Sequence, residues 1–242
     1  MIQISRLTKT YNGVRAVDDL SFDVRPGEIV GLIGPNGAGK TSTLRCIVGI
    51  QAPSRGTVRI AGYDIVRQPI EAKRRLAFMA DEPHLFEYLT VIEHLRLTGR
   101  IYGVADVETR AEALLDELRL RGKETALPAE LSRGMKQKVA IACGLLHDPD
   151  ALLFDEPLTG LDPLGIRQMK ATIVARGRAG RAVIVSSHLL HLVEEICTRI
   201  IIINHGVKVA DGTIAELRTD SRLAEGDTNL EHIFLSVTAH GH

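Results

Sequence analysis

Gly34-Pro35-Asn36-Gly37-Ala38-Gly39-Lys40-Thr41 concentrates the residues of this chain that could do chemistry. The spacing G-x-x-x-x-G-K-[ST] is that of a phosphate-binding loop. An apolar run, Glu28 to Ile33, enters it as a short strand, and Ser42 to Ile50 leaves it with Leu44, Ile47 and Val48 at helical spacing. Strand, glycine loop and helix together aim backbone N–H groups at an anion. The helix N-terminus adds partial positive charge. Gly34, Gly37 and Gly39 permit dihedrals and close approaches that a Cβ would block. Lys40 can reach the β- and γ-phosphates of a nucleotide, and the Thr41 hydroxyl can ligate Mg²⁺. The nucleotide-binding set thus runs from Gly34 through Thr41 and takes in Ser42.

A triphosphate site also needs a carboxylate for its metal. Ala151-Leu152-Leu153-Phe154 is a continuous apolar run, as a fully buried parallel strand requires, and it ends in Asp155-Glu156-Pro157. The end of such a strand opens into the ligand crevice, so Asp155 reads as the Walker B metal carboxylate. A second carboxylate directly after it, Glu156, can polarise an attacking water as general base.

The elements that must hold these groups follow from the rest of the chain. At 242 residues, 45% hydrophobic and 25% charged, the composition is globular and supports one large core, with room for a subdomain. Lys plus Arg and Asp plus Glu both number 30, so composition offers no argument for nucleic acid. Cys46, Cys143 and Cys197 lie far apart on apolar helical segments, which predicts buried free thiols in a reducing compartment rather than metal ligands. The N-terminus lacks signal-peptide architecture, and no apolar run approaches the ~20 residues of a membrane span. Residues 1–33 read as strands, with Ile2, Ile4 and Leu7 in loose alternation and Leu20 to Val24 in clean alternation. Thr57–Ile60 and Arg75–Ala80 read as strands, and Ala61-Gly62-Tyr63-Asp64 as a turn. Residues 84–147 read as mainly helical: Val91, Leu95 and Leu97 mark one helix, Val107 to Leu118 carry a second stripe, and Ser132 caps a third. Ala182–Ser186 is another buried strand with His188 just beyond it. Leu230, Ile233, Phe234 and Val237 share a helical face near the end.

Leu131-Ser132-Arg133-Gly134-Met135-Lys136-Gln137, shortly ahead of the Asp155 strand, resembles the signature motif of ABC-type ATPases, and the resemblance covers nearly the whole chain. It implies an α/β fold: a P-loop NTPase core with a mainly parallel sheet (1–83 and 148–217), an N-terminal antiparallel β part, an inserted helical subdomain (84–147) and a C-terminal tail (218–242). It also implies a head-to-tail dimer, homomeric or with a similar subunit, holding two ATP molecules with Mg²⁺. In that dimer Ser132 and Gly134 would act in trans on the γ-phosphate. Tyr11 matches the adenine-stacking aromatic, Asp162 the D-loop at the interface, and His188 the switch histidine at the γ-phosphate. Two positions depart from the pattern. Asp81 stands where the family's Q-loop has Gln, exchanging an amide for a shorter, charged carboxylate that can still bind Mg²⁺ or its water. Met135 stands where Gln is common in the signature.

Asp81-Glu82-Pro83 and the segment Asn229 to Leu235 further resemble ATP-binding subunits of exporters whose permease is a separate chain. The expected activity is ATP hydrolysis driving dimer closure. The expected place is the cytoplasmic face of the membrane, peripheral through the permease, which would dock near Pro83 to Arg100. The alternatives are a soluble ABC-type ATPase on ribosomes or DNA, and a nucleotide-gated binding module with little turnover. Lys40, Glu156 and His188 argue against the latter.

Overall fold

Two sheets clasp one helix. In the computed structural model, which describes residues 1–219 and 230–239 apart from the side chains of Leu192, Val237 and Ala239, the first sheet is antiparallel. Its strands β1 (Ile2–Tyr11), β2 (Val14–Val24), β4 (Arg55–Ile60) and β5 (Tyr63–Asp64) lie in the order β2-β1-β4-β5. The second sheet holds β3 (Ile29–Ile33), β6 (Leu76–Met79), β7 (Ala151–Asp155), β8 (Ala182–Ser186), β9 (Arg199–Asn204) and β10 (Val207–Gly212) in the order β10-β9-β3-β8-β7-β6. It is parallel except for β10, which pairs antiparallel with β9. Helix α1 (Lys40–Ile47) packs between the two sheets.

The apolar runs of the second sheet are continuous because both of its faces are covered. Along β7, Ala151 and Leu153 enter the core shared with α1 and the first sheet, while Leu152 and Phe154 enter the core shared with the helices. The same division separates Ala182 and Ile184 from Val183 and Val185 in β8. The helical face is covered chiefly by α3 (Val91–Tyr102), α4 (Val107–Glu117), α5 (Arg133–Leu146), α6 (Pro163–Arg178) and α7 (Leu190–Ile196). The small α8 (Ile214–Thr219) packs against β10, and α9 (Leu230–Ala239) against α7 and α8.

The loose alternation in the N-terminal strands has a local cause. Arg6 and Asp19 take φ of 49° within β1 and β2, and the register shifts there. Each bulge adds one residue, so the buried series runs Ile2, Ile4, Leu7 and Val17, Leu20, Phe22. Gly56, with φ 84°, leaves room for the first bulge: a Cβ there would lie 2.2 Å from the Arg6 carbonyl oxygen.

Three details differ from the sequence expectation. Only Ala61 and Gly62 have the positive φ of the turn, and Tyr63 and Asp64 form β5 instead. A short helix not anticipated, α2 (Pro69–Arg74), follows it. In α3 it is His94 and Gly99, with Val91 and Leu95, that are buried, and Leu97 is only half-buried. Of the terminal stripe, Leu230 and Ile233 are buried in α9, while Val237's side chain and Asn229 lie outside the described residues. Cys46 and Cys197 are buried free thiols and Cys143 is half-buried; burial raises all three, Cys143 to about 11.

Candidate functional site

The phosphate loop lies between the end of β3 and α1. Gly39 caps α1 with φ 103°, and a Cβ there would lie 2.3 Å from the Ala16 carbonyl oxygen. A Cβ on Gly34 would lie 2.3 Å from the Ile203 carbonyl oxygen. Both glycines are therefore required where the loop passes its own scaffold. Gly37, with φ 80°, meets nothing within 4 Å and serves the turn itself. The Lys40 Nζ donates to the carbonyl oxygens of Gly34 at 2.6 Å and Pro35 at 3.1 Å, across the loop it belongs to. Burial lowers the pKa of this ammonium, against the raising fields of Glu156 and Asp155.

Asn36 to Ser42 line a cleft of about 280 Å³ whose far wall is Asp81, Asp155, Glu156 and Ser186. Asp155 closes β7, directly opposite Ser186 of β8. Its carboxyl is raised by burial first and then by the charges of Glu156 and Asp81; the Ser186 hydroxyl and Lys40 work in the other direction. A half-buried carboxylate whose ionised form is opposed by burial and by two neighbouring carboxylates is one that a cation would stabilise. The donor set facing it, one hydroxyl from Thr41 and carboxylates from Asp155 and Asp81, is all oxygen and suits Mg²⁺. The residues present thus fit Mg²⁺ carried on phosphate oxygens. Thr41 and Asp155 would hold the ion, with Asp81 near the same end.

Glu156 sits just past β7 with φ 50°, a left-handed backbone that costs energy for a side chain of this kind. Its N–H donates to the Ser186 carbonyl at 2.9 Å, and Gln137 of α5 donates to its carbonyl at 3.5 Å. Three donors converge on one carboxylate oxygen, Oε2: the Ser187 hydroxyl at 3.1 Å, the His188 backbone N–H at 3.4 Å and His188 Nδ1 at 2.9 Å. Glu156 and His188 therefore form one unit. Of the two residues that support it, Ser187 carried no signal of its own in the sequence, and Gln137 only its place at the end of the signature-like stretch.

The remaining expected residues lie outside the cleft. Tyr11 is half-exposed at the end of β1, its hydroxyl donating to Gln51, with Lys9 Nζ 5.0 Å above its ring. Ser132 caps α5 by accepting from the Met135 N–H at 3.2 Å. A Cβ on Gly134 would lie 3.1 Å from Leu161 Cδ2, so the start of α5 packs against the loop before α6. Asp162 caps α6 by accepting from the Gly165 N–H at 2.7 Å.

A glycine loop and lysine at a helix N-terminus, faced by the carboxylates of Asp155 and Glu156 at the end of a parallel strand of the same sheet, define a P-loop nucleoside triphosphatase. Comparison with known proteins narrows the class. The ABC transporter family profile matches residues 17–159. The chain is 35% identical over 240 residues to the ABC-type transporter ATP-binding protein EcsA of Bacillus subtilis (strain 168), covering 98% of this chain and 96% of that one. It is 39% identical over 221 residues to the Nod factor export ATP-binding protein I of Paraburkholderia xenovorans (strain LB400), covering 89% and 72%. A solved structure described as the ATP-binding subunit of an ABC transporter superposes with a TM-score of 0.92 at 35% identity, over 98% of this chain and 99% of that one. The chain belongs to the ABC transporter family, as an ATP-binding subunit that hydrolyses ATP with Mg²⁺.

Proposed function

We propose that this subunit powers an export permease encoded as a separate chain, and that it does so by closing head to tail on a second ATP-binding subunit. One observation carries the dimer: the cleft assembles Lys40, Thr41, Asp155 and Glu156, but Ser132, Gly134 and Asp162 lie outside it. In this reading Ser132 and Gly134 contact the γ-phosphate held by the other subunit, where the N-terminus of α5 is an anion site. Asp162 lies at the seam and Tyr11 stacks on adenine. Export is favoured by the relative named for Nod factor export.

Within each site Lys40 and the loop amides hold the phosphates. Glu156 accepts the proton of the attacking water, and Ser187 and His188 hold the Oε2 of that carboxylate. Mg²⁺, when bound, neutralises phosphate charge at Thr41 and Asp155. ATP shifts the pair toward the closed state only by binding that state more tightly.

The permease would seat on the loop from Pro83 to Thr90 and the cleft beside it, about 360 Å³, lined by Phe78, Phe86, His94 and Tyr102. Phe86 and Tyr88 are 64% and 88% exposed there, an unusual outlay of aromatic surface. Residues 84–147 act as the helical insert in a core of 1–83 and 148–217. No helix among the described residues is long and apolar enough to cross a membrane, so attachment at the cytoplasmic face would run through the permease. Fractionation of cells making the protein at native level tests this. The expected result is sedimentation with membranes and co-extraction of a polytopic protein in detergent. Sedimentation with ribosomes or nucleic acid would leave the ATPase chemistry and remove transport.

A further inference from the structure

The cleft has an excess of negative charge for a site that receives a polyanion. Asp81, Asp155 and Glu156 line it, against the single ammonium of Lys40. An amide in place of Asp81 would add no charge, so the carboxylate there needs a counter-ion of its own. Arg133, the first residue of α5, supplies it: the guanidinium lies 3.3 Å from Asp81 Oδ1. Its stem runs along the loop before α6, where a Cβ on Gly160 would lie 3.4 Å from Arg133 Cδ and Nε. One side chain thus joins the edge of the nucleotide cleft to Gly160 and to the start of the helix that carries Ser132 and Gly134.

The two side chains remain 56% and 43% exposed. An ion pair at such a rim is weak, worth about a few-fold in an equilibrium constant. Weakness matters here, because a buried pair could not exchange partners whereas a rim pair can. A divalent cation brought to Thr41 and Asp155 is the competing partner in the same cleft as this carboxylate.

We propose that Arg133 is a positioning residue that holds the Asp81 carboxylate at the cleft rim, and that Arg133 and Mg²⁺ compete for this carboxylate. The proposal rests on the Mg²⁺–ATP site described above. Nucleotide binding with the ion loosens the pair, so occupancy of one subunit's own cleft is felt at Arg133, the residue between the Ser132 and Gly134 it offers to the other.

The test is equilibrium binding of a fluorescent ATP analogue to the purified chain, first in chelator and then with Mg²⁺ titrated in. Arg133→Gln leaves Asp81 unpaired. Affinity without Mg²⁺ should fall about threefold, the scale of a rim ion pair, and half-saturation by Mg²⁺ should come at about threefold lower concentration. Arg133→Lys should stay near wild type. Asp81→Gln should raise affinity without Mg²⁺, and in that background Arg133→Gln should change nothing. The role is overturned if Arg133→Gln leaves the Mg²⁺ dependence unmoved, or moves it equally with and without Asp81→Gln. If the wild-type chain fails to bind the analogue with Mg²⁺, the site assignment itself falls.

Discussion

Glu156 is both strained and restrained. A left-handed φ of 50° is uphill for a residue with a Cβ, and the bonds from its N–H to Ser186 and from Gln137 to its carbonyl offset that cost. With Ser187 and His188 both committed to Oε2, the carboxylate has little rotational freedom. Such preorganisation is useful for a base that must meet one water in one direction. Glu156→Gln keeps the shape and most of the contacts but cannot accept the proton. Phosphate release should fall by about 100-fold or more, while ATP affinity stays within about threefold. Turnover at the wild-type rate in that variant would remove Glu156 from the role of base.

Between single residues and the whole fold, the elements show why some of the structure was legible in the sequence. β7 and β8 read correctly because burial on both faces leaves a continuous apolar run, and the strand, glycine loop and helix leading to Lys40 because they are consecutive in the chain. His94 was missed because a polar ring gives no apolar periodicity, yet the loop just before the helix satisfies it: its Nε2 accepts from the Phe86 N–H at 2.9 Å and its Nδ1 lies 2.8 Å from the Thr90 carbonyl oxygen. Helix α2 is six residues long, too short for periodicity to register. Arg133 and Gln137 stand in the signature-like stretch, but their bonds to Asp81 and Glu156, like that of Ser187 to Glu156, exist only through tertiary proximity. Gly56 belongs with these, since an arginine bulge on the neighbouring strand is what demands it. Gly56→Ala combines a positive φ with a 2.2 Å approach to the Arg6 carbonyl oxygen, and it should cost about 2 kcal/mol or more. For a chain of this size the melting temperature should drop by about 5 °C or more, read by circular dichroism. An unchanged melt would mean that the β1 bulge does not require glycine opposite it.

Across the whole molecule, the two sheets are tied by polar contacts as well as by the core around α1. Arg199 of β9 donates to Asp211 of β10 at 2.7 and 2.9 Å, to the Asp23 carbonyl of β2 at 3.1 Å, and to Glu28 at 3.3 Å. Burial pushes the Asp211 carboxyl up, but bonds from Arg199 and Lys208 outweigh it and hold the group below its ordinary 3.8. A carboxyl depressed in the folded state contributes stability that is fully present above the unfolded value. That contribution is lost as pH falls through the folded value. Asp211 should therefore add nothing to the pH dependence between 7 and 5, and should add to acid destabilisation below about pH 4. Asp211→Asn should lower unfolding free energy at pH 7 by about 2 kcal/mol, because it removes charge-assisted bonds from a half-buried guanidinium. The gap between variant and wild type should then narrow as pH falls from 4 toward 2, in urea unfolding followed at each pH. A gap that stays constant over that range would show that the Asp211 charge contributes nothing, and that the link between β9 and β10 rests on the backbone ladder alone.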